Sequence, residues 1–267
     1  MSWKNMDQDI NQDGTVGKAL ALLDVVAEFA NPVRFNDILA KSPYPKATSY
    51  RFLQTLTRQG MLSYDEGHHT YELGIRLVRL AHSAWQQSSL APIARPYIDA
   101  LSAKINQTIH LAQLDGGQVL YVDKRNAINP IPMFSDAGKI GPAYCTGVGK
   151  AMLAFLPEAL RETYIAQQSF HPFTEHTITN ADDLRTTLFI IRNEAVAFDR
   201  QEHEPNIICI AVPILSSHGK VLGGMSVTTS TERMSLQDLL AYKPSLQFTA
   251  KQIGEATQPW RFPDAEN

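Results

Sequence analysis

Cationic and hydroxyl side chains recur at helical spacing between residues 45 and 60. They are Lys46, Thr48, Arg51, Thr55 and Arg58, and no carboxylate stands among them. The other side of the same helix carries a mostly apolar stripe, formed by Ser49, Phe52, Leu53 and Leu56. A helix that is apolar on one side and cationic on the other can dock on a domain and face phosphates. The spacing predicts a recognition helix for double-stranded DNA, with contacts from Lys46, Thr48, Ser49, Arg51 and Arg58.

An ordinary solvated helix face is the commoner meaning of such a pattern when a helix is considered alone. The surrounding charges favour DNA instead. Between Asn31 and Gly60 the chain carries five cations and a single carboxylate, Asp37, although the whole chain has 24 Lys and Arg against 27 Asp and Glu. A local basic patch on a slightly acidic chain indicates contact with nucleic acid.

Local signals delimit this helix and two helices before it. Pro45 suits the first helical position, and Gly60 suits a left-handed stop. The first helix is expected to begin at a Thr15 cap and to end at Asn31-Pro32, and the second is expected from Phe35 to Lys41.

A change of period after Gly60 predicts a hairpin. Strands are expected at Met61–Tyr64 and Thr70–Leu73, around a turn that contains Gly67. Three helices followed by a hairpin are typical of a winged helix-turn-helix. His68 at the wing tip is a further candidate for DNA contact, although an exposed loop histidine can also be merely solvated.

The second half of the chain is predicted to be α+β. Gly74–Ser89 is expected to form a linking helix, with apolar residues inward at Leu77, Leu80, Ala81 and Ala84. The later predicted elements are a helix opened by Pro92, strands Ile109–Leu114 and Val119–Lys124 around Asp115-Gly116-Gly117, an edge strand Ile131–Phe134, helices opened by Gly147 and capped by Asn180, strands Ile207–Ile214 and Val221–Thr228, and a closing helix. The hairpins indicate a mainly antiparallel sheet flanked by helices.

These elements predict five segments. They are a disordered N-terminal tail (1–14), a winged helix-turn-helix domain (15–74), a linker helix (75–89), an effector-binding domain (90–258) and a C-terminal tail (259–267).

Composition excludes several other classes of protein. No apolar run approaches the roughly 20 residues of a membrane span, and the stretch Met1–Asn5 lacks the apolar core of a secretion signal. The two cysteines, Cys145 and Cys209, form no CxxC, and the eight histidines form no HExxH. We therefore expect a soluble cytoplasmic protein with no metal site, no cofactor and no membrane partner.

Small residues at the start of a helix could receive an anion in the second half. Gly147 and Val148 would expose backbone N–H groups there. The stretch is not a phosphate-binding P-loop, because Tyr144 and Ala151 stand where that motif needs glycine and Ser or Thr. The alternative is a turn that only packs.

Cys209 and Asp199 each allow two interpretations. A cysteine within an apolar strand behaves as a small hydrophobe, whereas a catalytic thiol needs a cationic or histidine partner such as His203 or His218. The stretch Asp199–Glu204 is either a solvated acidic loop or the source of a carboxylate, Asp199, that orients an effector or accepts a bond from an N–H of the pocket wall.

Four motifs in order resemble the IclR-type bacterial transcription regulators. The matching stretches are Pro45–Leu53 with Gly60, Tyr71–Gly74, Gly147–Ala154 and Cys209–Pro213, and the resemblance runs from about Thr15 to about Glu255. It implies a winged helix-turn-helix joined by a helix to a GAF/PAS-like effector domain, dimers or tetramers on operator DNA, and a small organic effector. It also implies a pocket lined by Gly147, Val148, Asp199, Cys209, Ser226 and Thr228, to which our prediction adds Met133.

The chain departs from the family pattern at two positions where glycine is usual. Asn206 can adopt a left-handed φ, whereas Ala195 suggests an altered turn. Both positions lie near the presumed pocket, so the class of ligand is not carried over from the family.

The sequence therefore predicts a ligand-responsive transcription factor that is not an enzyme. We expect a repressor of a catabolic operon, acting as a homodimer or homotetramer, whose effector is a small organic acid or oxo-metabolite. Two alternatives stay open: a hydrolase-like enzyme that uses Cys209 or Cys145 with a histidine, and a DNA-binding oligomer whose second domain only assembles subunits.

Overall fold

The computed structural model describes residues 14–257, without the side chains of residues 86–88. The chain divides near residue 88 into two compact units. The predicted tail 259–267, and all of the predicted tail 1–14 except Gly14, lie outside the described residues.

The N-terminal unit is a winged helix-turn-helix followed by a helix. Its elements are α1 (Gly14–Ala27), β1 (Val33–Arg34), α2 (Phe35–Lys41), α3 (Lys46–Arg58), β2 (Leu62–Asp65), β3 (Thr70–Leu73) and α4 (Ile75–Ser88). The three strands form an antiparallel sheet in the order β1-β3-β2. The core is built from apolar residues of the helices and the hairpin, including Leu22, Val26, Ile38, Phe52, Leu53, Leu56, Leu62 and Tyr71. The predicted helices α2 and α3 and both wing strands are confirmed.

The boundaries of the first elements differ from the prediction. Helix α1 already includes Gly14, so Thr15 lies in its first turn and does not cap it. The helix ends at Ala27, ahead of Asn31-Pro32, and the residues between form a turn that leads into the unpredicted strand β1. Pro45 is the N-cap of α3, with extended ψ, instead of its first helical residue.

The prediction that α4 buries a stripe of apolar residues is wrong for most of that stripe. Leu77 packs against the core of the N-terminal unit. Leu80, Ala81 and Ala84 are exposed, as is Val78. The reason is that periodicity shows only that one side of a helix is apolar, and the core of the unit reaches α4 only near Leu77.

The C-terminal unit is an antiparallel sheet flanked by helices, as predicted. Its helices are α5 (Ala91–Ile105), α6 (Gly147–Leu153), α7 (Glu158–Ala166), α8 (Ala181–Glu194), α9 (Leu236–Leu239) and α10 (Lys243–Ala256). Its strands are β4 (Thr108–Asp115), β5 (Gln118–Arg125), β6 (Ile140–Gly141), β7 (Ala197–Arg200), β8 (Ile207–Leu215) and β9 (Val221–Ser230). They pair in the order β6-β5-β4-β9-β8-β7. Helix α6 packs on strands β4, β7, β8 and β9, and α5 and α10 pack on each other and on the sheet.

The predicted edge strand Ile131–Phe134 is wrong. That stretch is irregular, and the two-residue strand β6 pairs with β5 in its place. Pro130 and Pro132 have no N–H to donate to a strand ladder, which explains why the apolar residues there do not extend the sheet. Helix α7 and strand β7 are elements that the sequence pattern did not predict.

Alanine at position 195, where glycine is usual in the family, suggested an altered turn. The structure instead shows at Ala195 the left-handed turn that glycine favours. Ala195 caps the C-terminus of α8 with φ +52°, and its N–H donates to Ile191 O at 2.8 Å. A left-handed conformation costs an L-residue with a Cβ roughly 1–2 kcal/mol, so this turn is strained at Ala195. Asn206 is also left-handed, with φ +65°, a conformation that asparagine tolerates.

Candidate DNA-recognition surface and effector site

Helix α3 presents a cationic face to solvent. Lys46, Arg51 and Arg58 are exposed on it, and Thr48 is half-buried at its edge. The guanidinium of Arg51 lies over the ring of Phe52, with Cζ 5.5 Å from the ring centroid. The opposite stripe is buried in the core, so the helix is held on one side and open on the other.

Ser49 does not belong to this face, and its prediction as a DNA contact is wrong. Its side chain is fully buried. Its hydroxyl donates to Tyr44 O at 3.3 Å and lies 2.9 Å from Ser42 Oγ. Ser49 therefore fixes the turn before α3, because helical spacing places it with Phe52 and Leu53 and not with the cations.

Two exposed residues of α3 were missed by the sequence analysis. Tyr50 and Gln54 stand one turn apart, and Gln54 Nε2 donates to Tyr50 Oη at 2.8 Å. The ring of Tyr50 also packs edge-on against Phe35, with centroids 5.8 Å apart. Their i, i+4 spacing is visible in the sequence, but an amide and a phenol add no charge to the cationic pattern of the helix.

The wing tip is ordered by Asp65. Its carboxylate accepts bonds from Gly67 N at 2.7 Å and from His68 N at 3.2 Å, and it lies 2.7 Å from His68 Nδ1. The hydrogen bond with the His68 side chain is the main cause that lowers the pKa of Asp65. His68 is exposed, but it already has a carboxylate partner, so its contact with DNA stays a prediction.

The register of the sheet gathers four of the predicted effector residues. Cys209 on β8 stands opposite Asp199 on β7 and opposite Thr228 on β9. Ser226, two residues before Thr228, stands opposite Ala211. Directly paired residues share a face of an antiparallel sheet, so these side chains lie on one face. All four are buried.

The start of α6 lies against the same face. A Cβ added to Gly147 would be 2.3 Å from Cys209 Sγ, so only glycine allows this approach. A Cβ added to Gly224 on β9 would likewise lie 3.2 Å from the carbonyl oxygen of Val148. The structure thus brings Gly147, Val148 and the strand residues together. Met133 lies half-buried in the loop between β5 and β6, and its place in the site stays a prediction.

His110 is the centre of a hydroxyl network that the sequence analysis missed. His110 lies on β4 opposite Ser226 of β9, and its Nδ1 lies 3.1 Å from Thr228 Oγ1 and 3.4 Å from Ser226 Oγ. Its Nε2 lies 2.8 Å from Ser135 Oγ. Burial lowers the pKa of His110 to about 3, so the ring is neutral. The two predicted effector hydroxyls are therefore oriented by a neutral imidazole.

A buried ion pair adjoins the carboxylate of Asp199. Lys150 Nζ donates to Glu202 Oε1, and both side chains are buried. Glu202 N donates to Asp199 Oδ1 at 2.8 Å, which is the N–H contact that the sequence analysis offered as an alternative. Burial, and then the charge of Glu202, raises the pKa of Asp199 to about 7. A solvated acidic loop is therefore the wrong description of Asp199 and Glu202.

The thiols of Cys145 and Cys209 are held in the protonated form. Burial raises the pKa of both well above the usual range, whereas a nucleophilic cysteine needs a lowered pKa. His203 contacts the rings of Phe134 and Phe173. His218 is exposed beside Ser217. These contacts give neither cysteine a histidine partner among the described residues.

A groove of about 450 Å³ lies elsewhere in the C-terminal unit. The end of β8, the C-terminal cap of α8 and the last turns of α10 line it. The groove contains none of the predicted effector residues, so this open volume and the cluster of buried polar groups are two separate candidate sites. We place the candidate effector site at the polar cluster, because convergent buried polar groups give a ligand its specificity.

The described residues offer neither a metal cluster nor a membrane-spanning helix. Within residues 14–257 no three His, Cys, Asp or Glu side chains come together as metal ligands. No helix of that range is both long and apolar enough to cross a bilayer.

Family descriptions match both units. The "IclR helix-turn-helix domain" matches residues 15–66, and "Bacterial transcriptional regulator IclR C-terminal" matches residues 82–255. The second match covers more than half of the chain. The chain belongs to the IclR family of bacterial transcriptional regulators: a DNA-binding helix-turn-helix joined to an effector-binding domain.

Individual relatives agree with this assignment. The probable transcriptional regulator SauR of Cupriavidus necator is 28% identical over 236 residues, which cover 88% of this chain and 94% of SauR. The crystal structure of IclR from Thermotoga maritima is 27% identical with a TM-score of 0.72, covering 90% of this chain and 97% of that one. An IclR homologue from Microbacterium hydrocarbonoxydans, complexed with 4-hydroxybenzoate, has a TM-score of 0.78, and the match covers 92% of this chain and all of that one. At 18% identity it shows the fold alone.

Proposed function

We propose that α3 enters the major groove of an operator and that Lys46, Thr48, Arg51 and Arg58 hold or read the DNA there. The exposed cationic face of α3, fixed from behind by its buried stripe, is the observation that carries this proposal. His68 would steady the wing on the DNA backbone. Ser49 is no longer included, because it is buried.

We further propose that the C-terminal unit binds a small organic acid or oxo-metabolite between the start of α6 and the hydroxyl network. Gly147, Val148, Asp199, Cys209, Ser226 and Thr228 would contact it, with Met133 at the edge. Convergent hydroxyls, a carboxyl and backbone groups on one sheet face suit a ligand rich in oxygen. In the Microbacterium homologue the same fold holds an aromatic carboxylate.

The physiological proposal is a cytoplasmic repressor of a catabolic operon that acts as a homodimer or homotetramer and is not an enzyme. A palindromic operator is expected, because two-fold protein symmetry is matched by two-fold DNA symmetry. The effector must bind one arrangement of the DNA-binding units better than the other, since a ligand shifts only an equilibrium between states that it distinguishes.

Arg51→Ala tests the DNA-binding face. A side chain that contacts a base in the groove contributes about 1–3 kcal/mol, so we expect operator binding to weaken about 5- to 150-fold. The measurement is a titration of DNA from the gene's own promoter region at fixed salt. Lys251→Ala is the matched control, because it removes the same charge from an exposed site on α10. Equal binding by Arg51→Ala and the control would remove Arg51 from the interface.

Thr228→Val tests the effector site through ligand-induced stabilisation. A ligand at 100 times its dissociation constant adds about 2.7 kcal/mol to native stability, so a panel of small carboxylates should include one that raises Tm. Loss of the Thr228 hydroxyl should reduce that rise.

Thr229→Val is the control for the effector test. Thr229 is the next residue on the same strand, it is buried, and its hydroxyl has no hydrogen-bond partner among the described residues. Thr229→Val should leave the ligand-induced rise in Tm unchanged. A wild-type protein that no member of the panel stabilises, or two variants that behave alike, would contradict the proposed site.

A further inference from the structure

The exposed face of α3 carries an amide as well as its cations. Gln54 is exposed and lies two helical turns after Ala47, between Arg51 and Arg58 on the solvent side. Ser49, Leu53 and the rest of the buried stripe lie on the opposite side. If this face enters a groove, as the proposed function requires, Gln54 enters it together with Arg51 and Arg58, as the neutral polar side chain between two cations of the sequence.

Tyr50 holds the amide of Gln54 in one orientation. Gln54 Nε2 donates one hydrogen to Tyr50 Oη at 2.8 Å. The ring of Tyr50 is itself fixed by its edge-on contact with Phe35 on α2. The second hydrogen on Nε2 and both lone pairs of Oε1 are not used by this bond. The amide is therefore set in place before any DNA binds.

The unused hydrogen-bonding groups of Gln54 match the major-groove edge of one base. Adenine presents an N7 acceptor and an N6 donor in the major groove, and an amide side chain satisfies both at once. A guanine presents two acceptors at that edge and would leave Oε1 facing an acceptor. The hydrogen bond to Tyr50 adds specificity, because it engages one N–H of the amide and leaves Oε1 and the other N–H free to face a base.

We propose that Gln54, oriented by Tyr50, reads one adenine in the major groove of each operator half-site. This proposal rests on the proposed function of α3 and adds an amide that reads one base to a face whose other proposed contacts are cations and a hydroxyl. Gln54 would touch the DNA, and Tyr50 would act through Gln54 as a positioning residue.

Selection from a random DNA library with the full-length protein tests the proposal. The wild type should select a site with one adenine per half-site that resists replacement by about 5- to 150-fold in affinity. Gln54→Ala should lose the preference at that position and keep it at the others. Gln54→Glu should exchange adenine for cytosine there, because a carboxylate accepts from cytosine N4. Tyr50→Phe keeps the ring, loses the hydroxyl, and should weaken the preference for adenine only at that position.

Arg58→Ala is the contrasting control, because loss of a phosphate contact should weaken binding about equally on all sequences. Base preferences that Gln54→Ala leaves unchanged at every position would overturn the proposal, and so would a wild-type site with no required adenine. A wild type that selects no sequence at all would overturn the proposed function itself. Because Gln54 and Tyr50 are exposed, these variants are expected to fold.

Discussion

Lys150→Met is expected to lower the free energy of unfolding of the C-terminal unit by about 3–5 kcal/mol. The change leaves the buried carboxylate of Glu202 without the ammonium that compensates it. Glu202 Oε2 has no hydrogen-bond partner among the described residues, so no second bond stands ready to replace the lost one. The buried carboxyl of Asp199 lies beside the pair and would lose the same cation.

A double variant separates loss of charge compensation from loss of packing. Lys150→Met with Glu202→Leu removes both charges and keeps most of the volume, and such replacements of a buried pair are often neutral or stabilising. We therefore expect the double variant to recover most of the lost stability. The free energies of unfolding of the single and double variants are measured by urea unfolding, and amide exchange of β8 and β9 identifies the signal of the C-terminal unit. A double variant as unstable as Lys150→Met would show that packing, and not the unpaired charge, causes the loss.

The N-terminal unit was the more predictable half because its information is local. The hydrophobic stripe of α3 and its stop at Gly60 are properties of consecutive residues, and Gly60 has the left-handed φ of +71° that such a stop requires. The wing followed from alternation and a turn glycine in the same way. The errors in this unit concern surroundings: Ser49 and the outer residues of α4 depend on how far a core extends.

The candidate effector site could be predicted only through the family resemblance. Its residues come from β4, β7, β8, β9 and α6, and the sequence does not state the register between β4 and β9. That register places His110 opposite Ser226, which is why the histidine was missed although its neighbours were named. Lys150 was also missed as a charged group, because a lysine in a sequence suggests the surface and only the packing of α6 shows it buried beside Glu202.

Two buried groups of the proposed effector site should give opposite dependences of stability on pH. His110 has a pKa lowered to about 3 in the folded protein, so between about pH 3 and 6.5 the unfolded chain binds a proton that the folded chain does not. The contribution of the neutral His110 ring to the free energy of unfolding is therefore complete above pH 6.5 and decreases as the pH falls. Asp199 has a pKa raised to about 7. Between about pH 4 and 7 the folded chain holds a proton that the unfolded chain loses, so its contribution falls as the pH rises.

The two slopes are each at most about 1.4 kcal/mol per pH unit, the value for one proton, and they oppose each other between about pH 4 and 6.5. We therefore expect Asp199→Asn to lose stability relative to wild type as the pH is lowered through this range, because the Asp199 contribution that grows in acid is gone. His110→Gln should gain relative to wild type over the same range. The difference in unfolding free energy between each variant and the wild type, measured by urea titration at each pH, cancels all other titrating groups to first order. If neither difference changes with pH, both side chains have the pKa values of solvent-exposed groups and the proposed site is open to water. Slopes of opposite sign would instead mean that both groups are shielded from water in the ligand-free protein. An effector that enters between them must then exchange hydrogen bonds with a neutral imidazole and with a carboxyl that carries its proton through most of that range.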